Sequence, residues 1–574
     1  MSTTLSLTGR RWTLLPTETA RAEELGARFG LPLPAARCLI RRASGAELDA
    51  WMAPSVSLLH DPYQMSGMGQ AVARIRAAVE GGQTIRIVTD YDVDGTTSSL
   101  ILQGTLRILG AGERLSYHIP DRFEEGYGFS VTAAERAVQD GVGLIITADI
   151  GVRDHAAVHA ASEGGVDVIV CDHHLPDGES VPETAHTVLC PPQAGCTYPN
   201  PALAACGVSL KLAQALLADH PKHDAILRSM LKIAAIGTVA DVVDLGTLEN
   251  RSIVALGLEE LSRGRHTPGL AALLDVSGLG EGPLQASDLG FRIGPRINAA
   301  GRLESADAVI RLFDERDAHR ALHQARALDQ LNTERRAIQE RLVSAALEQL
   351  PAPLPGWVVA SGPESEGWHR GVVGIVASRL RDKVHRPVAV VSIQGETAVA
   401  SVRSVPQVHA VRALDACADL LVRYGGHPIA AGFTVPTRHL PELATRLSDW
   451  VEQHADAEEL RPELELDAAC TAVDIDRALA TALQRLSPFG KGNPAPLIRV
   501  DDVQVHDVRI LKDKHLKFRA SGVDAIWFNA APHHDQLVGA RVDLAARVEL
   551  NRWRGRESVQ LTVEDARPAA RPSA

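Results

Sequence analysis

The chain has 574 residues, 45% of them hydrophobic and 23% charged, which are ordinary values for a globular protein of two to four domains. Its net charge of −12 excludes a general basic coat for nucleic acid, so a polyanionic substrate must be held by a local patch or by metal ions. No run of 18 apolar residues and no apolar leader occurs, and the seven cysteines form no C-x-x-C pair, so the reading is a cytosolic, reduced, non-membrane protein.

Residues 1–45 read as an N-terminal extension with helical pieces. The first strong signal is TIRIVT, a short β-branched run, followed by DYDVDG. Asp90, Asp92 and Asp94 crowd three like charges into five residues. At ~4 Å and an effective dielectric of 20, each pair repels by roughly 4 kcal/mol, so something positive must compensate. D-x-D-x-D-G also opens an EF-hand loop. The twelfth position here is Ile101 rather than Glu, and a strand rather than a helix precedes the loop, so calcium of that kind is excluded.

The same arrangement recurs downstream. GLIITAD ends at Asp149, VDVIVCD ends at Asp172 and runs into His173 and His174, and MLKIAAIGTVAD ends at Asp241. The last stretch reads either as a strand or as a helix entering a loop. Helix-like VTAAERAVQDG and RDHAAVHAASEGG lie between these segments. Alternating strands and helices predict a parallel sheet with helices on both faces, and sites in such sheets form beyond the carboxyl ends of the strands. That places Asp92, Asp94, Asp149, Asp172, His173, His174 and Asp241 along one rim. Each aspartate alone is also ordinary turn or cap chemistry. Together, carboxylates with imidazole suit a hard divalent cation, and the histidine tilts the choice toward Mn²⁺ over Mg²⁺.

Further on, RDAHRALHQARALDQLNTERRAIQERLVSAALEQL carries apolar residues at helical spacing without a proline, predicting a long connecting helix that ends at PAPLPG. Asn332, Arg335 and Arg336 on it face either nucleic acid or solvent. PVAVVSI, TAVA and SVRS predict strands with Ser401 and Arg403 at a strand end or hairpin. The glycine pair of YGGHPIAAGF allows a close backbone approach to a ligand, with His427 beside it, although a structural glycine turn reads equally well. Five strand-like runs follow residue 496 and predict a small barrel. Lys512, Lys514, Lys517 and Arg519 surround Phe518, and Arg552, Arg554 and Arg556 surround Trp553, an interleaving that suits single-strand binding or a solvated hairpin. The tail ARPAARPSA reads as disordered.

In this order DYDVDG (90–95), PDRFEEGYG (120–128), TADIG (147–151), CDHH (171–174), GTVADVVDL (237–245), FRIGPRINAAGRL (291–303), WHRGVVGIVASRL (368–380), SVRS (401–404), YGGHPIAAGF (424–433) and PFGKGNPAP (488–496) resemble the DHH phosphoesterases. Within that family they resemble the single-strand-specific 5′→3′ DNA exonucleases. The resemblance spans residues 61–565. It implies an α/β fold: a parallel-sheet DHH catalytic domain (46–310), a long helix (311–350), a DHHA1 α/β domain (351–460) and a C-terminal OB-fold β-barrel (461–565), with 566–574 as the tail. It implies two divalent cations, Mn²⁺ or Mg²⁺, on Asp92, Asp94, Asp149, His173 and Asp241, with Asp90, Asp172 and His174 in catalytic or supporting roles. A 5′-phosphate and substrate site would use Arg122, Arg302, Ser401, Arg403, His427 and Asn298. The barrel would bind DNA through Lys514, Lys517, Phe518, Trp553 and Arg554. Implied partners are single-stranded DNA with a 5′ end, a single-strand-binding protein and a RecQ-like helicase. Ile150 stands where the family commonly has Asn, and Asp244 where it has Pro. The alternatives are a phosphodiesterase of short oligonucleotides or cyclic dinucleotides, and a non-catalytic single-strand-binding protein. The basic strands after residue 500 argue against the first, and the intact acidic set against the second.

Overall fold

The computed structural model describes residues 5–43, 47–121, 125–178, 180–280, 282–303, 305–456, 460–553 and 556–569. The chain divides into two compact units, one of residues 17–332 with 476–496, the other of 1–16, 333–475 and 497–574.

The first unit is built on a five-stranded parallel sheet in the order Leu115–His118, Ile85–Thr89, Leu144–Ala148, Asp167–Cys171, Thr187–Leu189. Its central strand, LIITA, is buried throughout, as a parallel strand covered on both faces must be. Register matters most here. Thr89 pairs with Ala148, Ala148 with Cys171, and Cys171 with Leu189, so Asp90, Asp149 and Asp172 leave the sheet level with one another. Successive strands depart to opposite sides of Ile85–Thr89, which makes the gap between it and Leu144–Ala148 the topological switch point, where open α/β sheets bind ligands.

The segment that could be read two ways before Asp241 is a helix, His223–Ala240, and Asp241 is its C-cap rather than a strand end. Leu231, Ala234, Ala235 and Ile236 are fully buried, so packing against the neighbouring helices overrides the β-branched residues near its end. Ile150 is buried in the core beneath the sheet, and Asp244 accepts a hydrogen bond from the Gly246 amide at 2.7 Å, so both departures from the family pattern have local structural roles.

The predicted long helix is Ala318–Glu348, 31 residues and about 46 Å at 1.5 Å per residue. Ala321, Ala325 and Leu328 pack into the first unit, and Leu342, Val343 and Ala346 into the second. Asn332 and Arg335 are buried, so of the three polar residues named on this helix only Arg336 is presented to solvent.

The second unit holds a five-stranded mixed sheet, Arg423–His427, Ala430–Pro436, Thr397–Arg403, Val388–Gln394, Val358–Pro363, with helix Arg370–Val384 on one face and Leu440–His454 on the other. It also holds a closed barrel of Ile498–Leu511, His515–Ala520, Val523–Trp527, Arg556–Pro568 and Arg541–Trp553, the last pairing back to the first. The five predicted strand runs coincide with these strands. The tail does not begin where predicted. Ala566–Pro568 continue the last strand, because Ala566 pairs with Leu544 and Arg567 bonds Asp543 at 3.1 Å; residues 570–574 lie outside the described residues. The N-terminal strand Arg11–Leu14 pairs with Glu463–Leu466, and the Trp12 indole donates to Asp565 at 3.0 Å.

Candidate metal centre

Four segments bring the acidic residues together. Asp92 caps helix Val93–Ile108, its Oδ1 accepting from the amides of Asp94 (2.8 Å) and Gly95 (3.1 Å). Gly95 lies so close to the Asp90 backbone that a Cβ would fall 2.4 Å from its carbonyl oxygen, so this tight turn requires glycine. Asp94 is buried and accepts from the amides of Ala205 (2.7 Å) and Cys206 (2.9 Å), the first residues of helix Ala205–Leu216. An anion at a helix N-terminus is a stable pairing, and it fixes this carboxylate firmly.

Asp149 follows its strand with φ 64°, a left-handed turn that aims the carboxylate back over the sheet edge. His173 stands at the centre: its Nε2 lies 3.3 Å from Asp149 and 3.9 Å from Asp94, and its Nδ1 3.7 Å from Asp241. Two adjoining sets result. Asp94, His173 and Asp241 offer ligand atoms within 4.8 Å of one another, as do Asp90, Asp92 and Asp149. The short Asp149–His173 contact joins them. Asp149, His173 and His174 form a third such group.

Asp172 has a different role. It is buried, and its carboxylate accepts from the amides of Val152 (3.0 Å), His173 (2.7 Å) and His174 (3.1 Å) and from His174 Nδ1 (2.8 Å). Burial pushes its pKa up, but the hydrogen bonds and charge of His174 outweigh burial and hold it below the usual carboxylate range. Asp172 therefore orients its neighbours, a carboxylate–imidazole pairing of the kind that steadies metal sites. The pairing in turn raises the His174 pKa, against the effect of burial.

Asp94, Asp149 and Asp241 show the opposite electrostatics. Burial, then the charges of Asp92, Asp94, Asp90 and Asp172, push Asp149 well above its ordinary value. Burial also raises Asp94, and it takes Asp241 up to about 9 with help from Asp94 and Asp92. These acidic groups face one another and are short of positive charge. Oxygen donors with one central imidazole, in two adjoining sets, fit a pair of hard divalent cations.

Sequence reasoning missed four residues. The Tyr127 hydroxyl lies 3.2 Å from His174 Nε2 and donates to the Asp149 carbonyl at 3.3 Å. It sits inside the PDRFEEGYG motif, which was the available signal. The amides of Ala205 and Cys206 that hold Asp94 had none. Lys491 opposes the rise in the Asp241 pKa from a segment 250 residues downstream in the chain.

The expected substrate residues divide between the units. Asn298 and Arg302 lie one turn apart on helix Gly294–Leu303, and Gly301 of that helix packs directly on the Tyr91 carbonyl, 2.7 Å from where a Cβ would stand. Ser401 and Arg403 end strand Thr397–Arg403, with Arg403 Nη1 donating to Ser401 Oγ at 3.2 Å. In register with Ser401 stand Gly432 and then Gly425, and a Cβ on Gly374 would lie 3.1 Å from Ser401 Oγ and 3.5 Å from Arg403 Nη2. His427 is exposed, in the row shared by Ala430 and Arg403.

In the barrel, the expectation for Phe518 is corrected. Strand HLKFRA alternates, so Leu516, Phe518 and Ala520 point inward and Lys517 and Arg519 outward, and Phe518 is 2% exposed. It is core and offers no stacking face. Lys514 and Lys517 are exposed. Trp553 ends its strand without a described side chain, and Arg122 and Arg554 lie outside the described residues.

Comparison with known proteins agrees with this geometry. The chain matches the DHH family N-terminal domain over residues 84–238, the DHHA1 domain over 355–453 and the RecJ OB domain over 466–565. The single-stranded-DNA-specific exonuclease RecJ of Dickeya dadantii is 35% identical over 541 residues, covering 89% of this chain and 92% of that one. The chain belongs to the RecJ family. RecJ of Bacillus subtilis is 38% identical over 522 residues, 88% of this chain, which spans 64% of that longer relative. The structure of Thermus thermophilus RecJ in complex with Mn²⁺ superposes with a TM-score of 0.82 at 30% identity, over 98% of this chain and 80% of that one, and the Mg²⁺ complex does so with a TM-score of 0.77. Both were solved with the class of cation that this donor set fits. Among the described residues no helix is long and apolar enough to cross a membrane.

Proposed function

We propose that the chain is a metal-dependent exonuclease that degrades single-stranded DNA from its 5′ end to 5′-mononucleotides in recombination and repair. The carrying observation is the convergence of Asp92, Asp94, Asp149, His173 and Asp241 at the switch point of the parallel sheet. Two divalent cations, when bound, supply Lewis-acid stabilisation of the charge that develops on the scissile phosphate and its leaving 3′-oxygen, and activation of water. The protein's part is placement. Helix N-terminal amides lock Asp94, and Asp172 fixes the His174 ring, whose far edge meets Tyr127 at the cleft. Asp90, Asp172 and His174 act as supports around the ligands.

Direction comes from end recognition. To recognition of the 5′ phosphate and the substrate we assign Arg122, Arg302, Ser401, Arg403, His427 and Asn298; an arginine fork suits a phosphate dianion. What supports this for Arg403 is its half-buried position next to Ser401 and Gly374. The layout assigned is catalytic domain 46–310, helix 311–350, DHHA1 domain 351–460 and barrel 461–565, the barrel gripping the strand through Lys514, Lys517, Trp553 and Arg554. On this reading a single-strand-binding protein and a RecQ-like helicase furnish the substrate, and the enzyme acts in the cytoplasm.

The test is a panel of 5′-phosphorylated single-stranded DNA, duplex DNA and a cyclic dinucleotide, each with Mn²⁺, Mg²⁺ or EDTA. Mononucleotides should appear only from the single strand and only with metal. Faster cleavage of the dinucleotide would replace this reading with the short-substrate one. In the same assay Arg403→Ala should lose the preference for 5′-phosphorylated over 5′-hydroxyl ends, by roughly tenfold or more for a charged hydrogen-bond pair, while its Mn²⁺ affinity stays unchanged.

A further inference from the structure

The segment PFGKGNPAP returns from beyond the second sheet to the first unit and seats itself on the turn after Asp241. Its fit there is close. The Leu245 amide donates to the Lys491 carbonyl at 2.7 Å. Gly492 has φ 75°, and a Cβ on it would lie 1.7 Å from Asp244 Oδ1. A Cβ on Gly246 would lie 3.1 Å from the Gly492 carbonyl. Gly490 and Asn493 form an isolated bridge, and the buried Asn493 amide donates to the carbonyls of Leu486 (2.9 Å) and Pro488 (2.8 Å). The loop backbone is thus held on both sides, with Lys491 at its apex.

The Lys491 side chain is exposed, and among the described residues no carboxylate lies within ion-pairing distance of its ammonium. Its backbone carbonyl is bonded to Leu245, four residues after Asp241. A cation carried on a loop fixed at the turn after Asp241 does little for the fold, since the loop is held by the Lys491 carbonyl, its glycines and the Asn493 side chain. Its natural counterpart is an anion that enters from solvent.

We propose that Lys491 is a phosphate-binding residue of the active site, its ammonium contacting a non-scissile phosphate of the strand that lies across the metal centre. The inference rests on the exonuclease reading above. It assigns to the link between the second sheet and the barrel a direct contact with substrate. A lysine suits this task as a mobile point charge, because a flanking phosphate must be released at every step.

The experiment compares Lys491→Gln, Lys491→Arg and the unaltered full chain on a 5′-phosphorylated single-stranded oligonucleotide with Mn²⁺, over a range of salt. Lys491→Gln should raise KM about fivefold, the upper end for an exposed charge contact, with kcat nearly unchanged. Losing one phosphate contact should also flatten the slope of log(kcat/KM) against log[salt] by about 0.7. Lys491→Arg should restore both. An unaltered KM and salt slope in Lys491→Gln, with an active parent, would overturn the assignment and leave the exonuclease reading intact. An inactive parent would overturn that reading itself. If Lys491→Gln instead changed only the Mn²⁺ affinity, measured by calorimetry without DNA, the residue would be tuning Asp241 and the proposal would be wrong. Thermal melting of each variant shows whether the fold is retained.

Discussion

Asp149 is held in a left-handed turn, buried, and surrounded by four other carboxylates whose charges raise its pKa. In the metal-free protein it is therefore a source of repulsion, and its carboxylate belongs to two of the groups that could hold a cation. Asparagine tolerates the same backbone conformation and nearly the same volume. Asp149→Asn should thus lower hydrolysis by about a thousandfold or more, given several kcal/mol of lost charge stabilisation at tenfold per 1.36 kcal/mol. Its metal-free melting temperature should equal or exceed that of the parent. Residual activity near the parental level would remove Asp149 from the metal site, and a collapse in melting temperature would make its role structural.

Two packed elements position the site. Helix Ala205–Leu216, whose first amides hold Asp94, is anchored from behind by a fully buried ion pair, Lys211 to Glu249 at 3.2 Å. Lys211 also donates to the His60 carbonyl, and Glu249 accepts from Tyr198 at 2.7 Å and from the His60 amide at 3.0 Å. Glu249→Gln leaves a buried ammonium without its counter-charge and should cost about 3–5 kcal/mol in urea unfolding; a loss under ~1 kcal/mol would mean that water reaches this lysine and that the pair does not anchor the helix. The second element is helix Gly294–Leu303. Gly301→Ala must push it off the Tyr91 carbonyl, carrying Arg302 with it. A shift near 1 Å in a positioning residue is worth about a hundredfold in rate, so kcat/KM should fall by that order while Mn²⁺ affinity holds. Unchanged kinetics would show that Asn298 and Arg302 need no fixed placement.

At the scale of the whole molecule, the site makes stability depend on pH and metal together. Asp94, Asp149 and Asp241 have folded pKa values above the ordinary value of about 4. Across the window from there up to about 9, set by Asp241, the folded chain binds more protons than the unfolded one. Stability of the metal-free protein therefore falls as pH rises through that window. Cations compete with those protons and relieve the repulsion, so the rise in melting temperature on adding Mn²⁺ should be larger at pH 8 than at pH 6. A shift that is equal at both, or larger at pH 6, would show that the carboxylates titrate outside the site's control.

Much of the centre was legible in the linear chain because its parts are local. A strand end and the aspartates after it are contiguous or nearly so, so Asp92, Asp94, Asp149 and Asp172 could be placed on one rim from the βαβ rhythm alone, and DYDVDG announced its own need for positive charge. The alternation that buries Phe518 is equally local, but the direction of the strand's inner face depends on barrel closure, and closure is a pairing of Ile498–Leu511 with Arg541–Trp553 across long sequence separation. The same holds for the amides that seat Asp94, the helix that ends at Asp241, and the loop that sets Lys491 on the turn after it. The sequence by itself determined which chemical groups were present and the order of their strands. Tertiary structure alone decided which of them meet, because contacts between distant segments arise from packing and register that no local propensity encodes.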